Sequence, residues 1–244
     1  MSILTKLALS IAAAIAVTCT VSAEPASEDL RPFIARYQVK YRGLSGGILQ
    51  LTLRRGEREG EFIYESRAEP SFLGGFMVSA SAREISTIQI AGSELRPVGF
   101  ISDDGKRGDA KDSNIRFDWS TQRLLGRAEG RDFDQPLPAR VQDHLSIQIA
   151  VIHALRTGAE LGSFSLIDEG TIKQYEYHRE GPATVAYQGS SREAVIVTSQ
   201  RTGSSRINRY WHAPSLEFVP VRAERSRDGK VDLTMQLVDI KFPN

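Results

Sequence analysis

Asp143, His144 and Ser146 bring the three residue types of a hydrolytic triad into four consecutive positions. A working triad needs its carboxylate, imidazole and hydroxyl to converge in an oriented line. Neighbours within one helical turn cannot converge in that way unaided. We therefore interpret Asp143 as a helix N-cap, with His144 and Ser146 in the first turn. The sequence contains no Gly-x-Ser-x-Gly elbow, phosphate-binding loop or dinucleotide fingerprint.

The four histidines are dispersed along the chain. His144 and His153 are nine residues apart, which places them on roughly opposite faces of a helix. A helical zinc site needs ligands that share one face. We therefore expect no metal site, and no other cofactor.

A second group of candidates lies in one strand near the C-terminus. Alternation along the strand places Tyr210 and His212 on one face and Arg209 and Trp211 on the other. A tryptophan beside an arginine can line a cavity for an amphiphile. We take Arg209, Trp211 and the earlier Trp119 as candidate ligand-binding residues. The alternative is that the tryptophans are core residues and the arginines are exposed.

The segment Pro70–Ser79 interrupts the strand pattern with a glycine pair at Gly74-Gly75. Successive side chains of a regular strand alternate between faces, so the large apolar residues here cannot all face one core. The segment is either a bent strand with a bulge at its glycines or a mobile apolar lip beside a ligand cavity. On the second interpretation the candidate ligand-binding residues are Phe72, Leu73, Phe76 and Met77.

The sequence has one long helical pattern, and we expect this helix to lie at the centre of the fold. Residues 142–157 have apolar side chains at helical spacing on most of the circumference. Asp143 suits the N-cap, Arg156 the negative end of the helix dipole, and Gly158 the residue after the C-cap. This pattern predicts a buried helix that fills or leans into a curved sheet.

The first 23 residues have the features of an export signal. Lys6 precedes a short apolar run, and Val21-Ser22-Ala23 fits the small-x-small cleavage rule, so we expect cleavage after Ala23. The alternative is lipidation at Cys19, the only cysteine in the sequence. Cleavage after Ala23 leaves a mature chain in the periplasm with no thiol or disulfide chemistry and no permanent membrane span.

The charge balance disfavours nucleic acid as a partner. Loss of Lys6 reduces the 31 basic residues to 30, which equals the 30 acidic residues. A mature chain without net charge has no bulk attraction for nucleic acid or anionic lipid.

The remainder of the sequence reads as strands and turns. Residues 24–32 are polar and predict a disordered leader, and no linker divides 33–244, which we expect to form a single β domain. Alternating segments separated by turn residues predict about thirteen strands, with the strongest hairpin at Asp228-Gly229. We expect a mainly β protein: an antiparallel curved sheet or open β-barrel around one buried α-helix.

A series of short motifs spans most of this chain. They are Phe33-x-Ala-x-Tyr37, Leu95-Arg-Pro97-Val-Gly-Phe100, Ile115-Arg-Phe117-Asp118, Gln142-Asp143-x-Leu145-Ser146, Tyr210-Trp211 and Val219-Pro220. In this order they resemble the exported bacterial family called domain of unknown function 3108. The resemblance implies an antiparallel, mostly β periplasmic protein and brings no activity and no catalytic residues. An open barrel around one helix is also similar in architecture to periplasmic lipoprotein carriers.

Three functions fit these features. The first is a periplasmic, non-enzymatic binding or carrier protein for an apolar or amphiphilic envelope molecule such as a lipid. The second is an envelope scaffold or assembly factor that binds another protein, for example through an edge strand. The third is a hydrolase with dispersed catalytic residues.

Overall fold

The computed structural model describes residues 30–71, 79–91, 94–108 and 110–243. Within those residues the elements are one α-helix, a short 3₁₀ turn at Pro214–Leu216 and fifteen strands in a single sheet. The strands are β1 Phe33–Tyr41, β2 Leu44–Arg55, β3 Glu61–Pro70, β4 Arg83–Ala91, β5 Glu94–Asp103, β6 Ser113–Asp118, β7 Arg123–Ala128, β8 Arg131–Pro136, β9 Val141–Gln142, β10 Gly162–Asp168, β11 Thr171–Tyr187, β12 Ser190–Arg201, β13 Arg206–His212, β14 Pro220–Arg227 and β15 Lys230–Lys241. The helix, α1, is Ser146–Thr157.

The sheet is a meander whose first and last strands pair with each other. Its strand order is β8-β7-β6-β5-β4-β3-β2-β1-β15-β14-β13-β12-β11-β10-β9. All neighbours are antiparallel except β9 and β10, which are parallel and flank α1 in the chain. The predicted mainly β, antiparallel open sheet with one helix is confirmed.

The strand pattern differs from the prediction in two places. The segment between Arg131 and the helix contains β8 and β9, which were not predicted as strands because its prolines suggested a connection. The sequence predicts two strands, Thr171–Glu180 and Ala183–Gln188, interrupted at Gly181-Pro182, but residues 171–187 form the single strand β11. A register shift between Arg179 and Gly181 lets β11 continue past the apparent break.

The two ends of the sheet approach each other along a seam that is bridged by side chains. The amide nitrogen of Gln135 in β8 donates to the carbonyl oxygen of Gly170, in the turn between β10 and β11 (3.1 Å). The amide nitrogen of Gln142 in β9 donates to the carbonyl oxygen of Leu95 in β5 (3.2 Å). The sheet is therefore curled around its inner face, with the helix beside the seam.

The helix is buried because its side chains contact the inner face of this curled sheet. Ile149 is 0% exposed, and nine of the twelve helical residues are buried. Gly158 ends the helix with φ 72°, the left-handed conformation that glycine adopts without strain. The inner face contributes alternate residues of each strand, among them Phe33, Ala35, Tyr37, Leu51, Leu53, Phe62, Tyr64, Ile88 and Phe100.

Several predictions concern residues that the structure does not describe. The signal segment 1–23, most of the leader and the apolar residues Phe72, Leu73, Phe76 and Met77 lie outside the described residues. Within the described ranges, no helix combines the length and the apolar character needed to cross a bilayer.

Candidate binding site

The chain enters the helix through a buried carboxylate. One carboxylate oxygen of Asp143 accepts hydrogen bonds from the backbone nitrogens of Leu145 and Ser146, both at 2.8 Å. The other accepts from the hydroxyl of Ser86 in β4 at 2.7 Å. Burial raises the pKa of Asp143, and these hydrogen bonds oppose the shift. Asp143 therefore holds the turn that precedes α1 and ties it to the sheet. It is not the N-cap as predicted: the helix begins at Ser146, and its N-cap is Leu145, which provides no side-chain hydrogen bond.

His144 does not join Ser146 but turns towards the end of β10. Its Nε2 donates to a carboxylate oxygen of Asp168 at 2.9 Å, and Lys173 binds the other oxygen of that carboxylate. Burial by itself lowers the pKa of His144, but Asp168 and the charges of Glu84 and Asp143 raise it above its ordinary value. The hydrogen bonds from His144 and Lys173 hold the pKa of Asp168 well below its usual range. The pair fastens the start of the helix to the β10–β11 hairpin.

A small cavity of about 150 Å³ lies between α1 and strands β10 to β14; we call it the inner cavity. Its apolar wall includes Ile147, Val151 and Leu166. Its polar wall lies beside the buried Ser199, whose hydroxyl accepts from the amide nitrogen of Asn208 at 3.2 Å and is close to the phenols of Tyr177 and Tyr210. Further lining residues are His144, Gln148, Tyr175, His212 and Pro220.

His212 lines the inner cavity with one ring nitrogen already engaged. Its Nδ1 donates to the carbonyl oxygen of Phe218 at 2.7 Å. Burial lowers the pKa of His212 to about 4, against the effect of that hydrogen bond, so the ring is neutral at pH 7. Nε2 is then an acceptor, and it is buried without a hydrogen-bond partner among the described residues.

A larger space of about 510 Å³ lies at one end of the inner face; we call it the open-end chamber. Its apolar wall consists of Val39, Ile48, Leu49, Leu233 and Met235 from three adjacent strands. Its rim carries charges of both signs: Arg83, Glu84, Asp103, Asp104, Lys106 and Lys111. Burial raises the pKa of Glu84, which favours its neutral form.

Residues that flank the segment 72–78 in the sequence line the open-end chamber. Pro70 and Ser79, the described residues near the two ends of that segment, both line the chamber. The pairing of β13, β14 and β15 also places the chamber two strands away from the inner cavity. Leu233 of the chamber pairs with Arg225, and Arg225 pairs with Asn208 of the inner cavity.

The other candidate residues lie away from both spaces. Arg209 and Trp211 alternate with Tyr210 and point to the outer face, where Arg209 binds Glu180 at 3.1 Å. The guanidinium of Arg222 stacks on the Trp211 ring, with its central carbon 5.3 Å from the ring centroid, a distance typical of cation–π contacts.

Trp119 lines a separate pocket of about 220 Å³ at the seam. Its indole Nε1 donates to the carbonyl oxygen of Pro97 at 2.7 Å, and Arg96 stacks on its ring at 5.0 Å. These contacts give Trp119 a structural role in the seam.

An open groove of about 810 Å³ lies at the opposite ends of β1 and β2 and is rich in arginine. Arg31 stacks on Phe242 at 4.7 Å, and Arg156 forms an ion pair with Glu217. Because these guanidinium groups already have protein partners, the groove is a weaker candidate for a ligand site than the chamber.

Three carboxylates in the loop after β5 could hold a hard cation. Oxygen atoms of Asp103, Asp104 and Asp112 lie within 4.8 Å of one another. Each of these carboxylates already accepts a hydrogen bond from a backbone N–H in the loop. The donors are Gly105 for Asp103, Lys106 for Asp104, and Asp104 for Asp112. These contacts explain the cluster as loop structure, and we assign it no metal.

The sequence interpretation missed the residues that build the inner cavity. Tyr175 and Tyr177 alternate with Glu176 and His178, which is the pattern of an ordinary half-exposed strand, and no motif marks Ser199 or Asn208. Alternation did place Tyr210 and His212 on one face. It could not show that this face is the inner one, which depends on the pairing of three strands.

Comparison with known proteins supports the fold and adds no activity. No curated protein matches the sequence significantly. The crystal structure of a beta-barrel-like protein of domain of unknown function DUF1849 from Brucella abortus aligns with a TM-score of 0.54 at 11% identity. That alignment covers 88% of this chain and 99% of the other. The crystal structure of MucB aligns with a TM-score of only 0.36 at 10% identity, over 89% of this chain and 55% of MucB, and adds nothing to the assignment.

The family assignment comes from the sequence itself. Residues 36–237, most of the chain, match the family described as "Protein of unknown function (DUF3108)", and the chain therefore belongs to that family.

Proposed function

We propose that this protein is a periplasmic, non-enzymatic binding or carrier protein for an apolar or amphiphilic envelope molecule, held in the open-end chamber. The observation that carries the proposal is the chamber itself, about 510 Å³ on the inner face of a curled sheet. Sites for small molecules are concave, mostly apolar and about 300–1,000 Å³ in volume.

The distribution of polarity in the chamber suits an amphiphile. The apolar part of such a molecule would contact Leu49, Leu233 and Met235, where burial of apolar area favours binding by about 25 cal/mol per Å². Its polar head would lie at the rim, where Arg83, Lys106 and Lys111 can meet negative groups and Asp103 and Asp104 positive ones.

A binding role agrees better than hydrolysis with the environment of His144. A carboxylate bound to the imidazole, as Asp168 is to His144 at 2.9 Å, would also occur in a triad, but the hydroxyl of Ser146 accepts from the backbone nitrogen of Asp143 and does not contact the imidazole. Within the described ranges, no serine or threonine hydroxyl is hydrogen-bonded to His144, so the triad residue types are not arranged as nucleophile and base.

The proposed compartment has its own test. The sequence of residues 1–23 supports export and cleavage after Ala23. Intact-mass measurement of the protein purified from the periplasm should then give a chain that begins at Glu24. A diacylglyceryl mass on an N-terminal Cys19 would contradict this and would attach the protein to a membrane.

The chamber is tested by placing a charge in its apolar wall. Met235→Glu keeps the side-chain length but makes the chamber unfavourable for an apolar group, so the affinity for N-phenyl-1-naphthylamine should fall at least about tenfold. Val238→Glu is the matched control, because Val238 lies on the same strand and is exposed. Equal probe affinity in the two variants, at similar melting temperatures, would contradict the assignment of the chamber.

Native mass spectrometry of the wild-type protein from the periplasm tests the ligand class. Co-purifying lipid that is lost in Met235→Glu would support the carrier. A stable complex with an envelope protein and no lipid would instead favour the scaffold or assembly factor.

A further inference from the structure

We propose that four basic residues in a row across strands β12 to β15 bind the anionic head group, such as a phosphate, of the amphiphile held in the open-end chamber. The residues are Arg201, Arg206, Arg227 and Lys230, and we call them the basic row. The inference rests on the proposed carrier function and specifies the chemical class of its ligand.

The register of the sheet brings the four residues of the basic row together. Arg206 pairs with Arg227, and Arg227 pairs with Lys230. The pairing of β12 with β13 runs up to the residues next to Arg201 and Arg206, so these two also face each other beside the turn that joins their strands. Paired residues of antiparallel strands share a face, with Cβ atoms about 5 Å apart. The row therefore places four cations side by side over about 15 Å, since neighbouring strands are about 4.8 Å apart.

The basic row lies on the inner face of the sheet, at its exposed margin. Asn208, two residues beyond Arg206 on β13, lines the inner cavity and so marks that face. On β15, Leu233 of the open-end chamber follows three residues after Lys230, and a shift in the pairing with β14 keeps both on the same face. Three residues of a strand span about 10 Å. A head group on the row can thus belong to a molecule whose apolar part contacts Leu233.

The side chains of the basic row differ from other arginines of the same strands. Arg209, Arg222 and Arg225 each bind a carboxylate. The four side chains of the row are exposed and form no hydrogen bond or ion pair with any residue that the structure describes. Like charges directly opposite each other on neighbouring strands destabilise a sheet. A bound anion would remove this repulsion.

The nearby acidic residues do not neutralise the basic row. Asp232 forms an ion pair with Arg225 at 2.8 Å. The hydrogen bond from Arg225, together with the charges of Arg206 and Arg227, lowers the pKa of Asp232. Asp228, in the adjacent turn, is the other carboxylate. With Arg225 included, five cations face two carboxylates, which leaves a local charge of +3 at one end of the sheet.

The basic row gives the carrier a preference that the open-end chamber lacks. The rim of the chamber carries charges of both signs and does not select the sign of a head group. Guanidinium groups bind phosphate and carboxylate oxygens through paired hydrogen bonds, which strengthens the interaction beyond that of a point charge. The preferred ligand is therefore an amphiphile whose head is a phosphate or a similar anion.

The first experiment compares decyl phosphate with decyl glucoside, which has the same tail and a neutral head, by calorimetric titration below their micelle concentrations. Decyl phosphate should bind about tenfold more tightly at low salt, and sodium chloride should reduce the difference because it screens exposed charges. Equal affinities would overturn the anionic head group and leave the carrier function intact. Binding of neither compound would contradict both.

The second experiment removes charge from the basic row. The double variant Arg206→Gln with Arg227→Gln should lose most of the preference for decyl phosphate and keep the wild-type affinity for decyl glucoside. The matched control, Arg209→Gln with Arg222→Gln, removes the same charge from the outer face of the same strands and should change neither affinity. A similar loss in both double variants would reduce the effect to overall charge and overturn the role of the row.

The melting temperature separates a ligand site from a structural role for the same arginines. Because the paired side chains repel each other, the double variant of the basic row should melt at or above the temperature of the wild type. A melting temperature several degrees lower would show that these arginines stabilise the fold, and it would overturn their assignment to a ligand.

The last experiment links the head group to the chamber. Inorganic phosphate should bind much more weakly than decyl phosphate, and Met235→Glu, in the chamber wall, should weaken both decyl compounds. Equal affinities for inorganic phosphate and decyl phosphate would assign the basic row to the free ion. Decyl phosphate binding that persists in Met235→Glu would place the tail outside the chamber. Either result would overturn the head-group assignment.

Discussion

The indole nitrogen of Trp119 and the side-chain amide of Gln142 donate to alternate carbonyl groups of β5, those of Pro97 at 2.7 Å and Leu95 at 3.2 Å. Both carbonyls precede Gly99, where β5 begins to pair with β6. Trp119 follows β6, whereas Gln142 belongs to β9 at the other end of the sheet. The two side chains thus provide donors for backbone carbonyl groups of β5 that have no β6 partner. The bond from Gln142 also joins β9, at one end of the sheet, to β5.

The seam should therefore be sensitive to the loss of these donors. Gln142→Met leaves the Leu95 carbonyl without its partner and should lower the free energy of unfolding by about 1–3 kcal/mol. Trp119→Phe should cost a similar amount, and more than Trp211→Phe, its counterpart on the outer face. Urea denaturation measures all three. Equal losses for the two tryptophans would show that the indole hydrogen bond to Pro97 adds nothing.

The helix should be essential for folding. Ile149 is 0% exposed, so Ile149→Asp buries a carboxyl group without a partner and should cost about 4 kcal/mol or more. Ile101 is 48% exposed, and Ile101→Asp should cost less than about 1 kcal/mol. Thermal unfolding distinguishes the two. A melting temperature of Ile149→Asp within a degree or two of the wild type would contradict the burial of α1.

The fold could be predicted from the sequence because its signals are local. Apolar side chains around the circumference of residues 142–157 predict a buried helix. The Asp228-Gly229 sequence predicts the turn of the β14–β15 hairpin, and these two residues have φ 50° and 75°. The short strands β8 and β9 have no such signal. They exist because the curled sheet brings partners to them, a long-range effect that local alternation does not report.

The candidate site was harder to predict because its residues come from separate strands. Ser199 meets Tyr177 across one strand pair and Asn208 across another. A shift of one residue in either register would turn these side chains to the outer face. Arg209 and Trp211 are candidates because of their residue types alone. Whether a side chain lines the cavity depends instead on how neighbouring strands pair, and the sequence of one strand does not determine that pairing.

The contact between His144 and Asp168 should make stability depend on pH. The folded-state pKa of His144 is raised, so its contribution is complete below the unfolded value of about 6.5 and is lost as pH rises through the folded value. The pKa of Asp168 is lowered, so its contribution is present above the unfolded value of about 3.9 and is lost as pH falls. The pair therefore stabilises the protein most between these values.

This dependence can be isolated with two carboxylate variants. The stability lost in Asp168→Asn should be larger at pH 5.5 than at pH 8, by a modest amount because His144 is partly exposed. Asp232→Asn is the control: Asp232 binds Arg225 at 2.8 Å, and arginine does not titrate in this range. Its cost should be the same at both pH values. Parallel pH profiles for the two variants would mean that His144 carries no charge in the pair.

The apolar residues Phe72 and Phe76 should matter for ligand uptake more than for folding. Their segment lies outside the described residues, but Pro70 and Ser79 near its two ends line the open-end chamber. A glycine pair in a sequence permits backbone motion, and large apolar residues that are not in a core often mark a binding surface. Replacement of both phenylalanines by serine should therefore abolish binding of N-phenyl-1-naphthylamine while the melting temperature stays nearly unchanged.

The matched control for that double variant replaces Leu44 and Val231 by serine. These residues are 62% and 50% exposed and lie at the same end of the sheet, where the backbone nitrogen of Arg42 donates to the carbonyl oxygen of Asp232. Neither lines the chamber, so probe binding should persist. If the phenylalanine variant instead unfolds and the wild type never binds the probe, Phe72 and Phe76 are core residues. The carrier proposal would then lose its support from this segment.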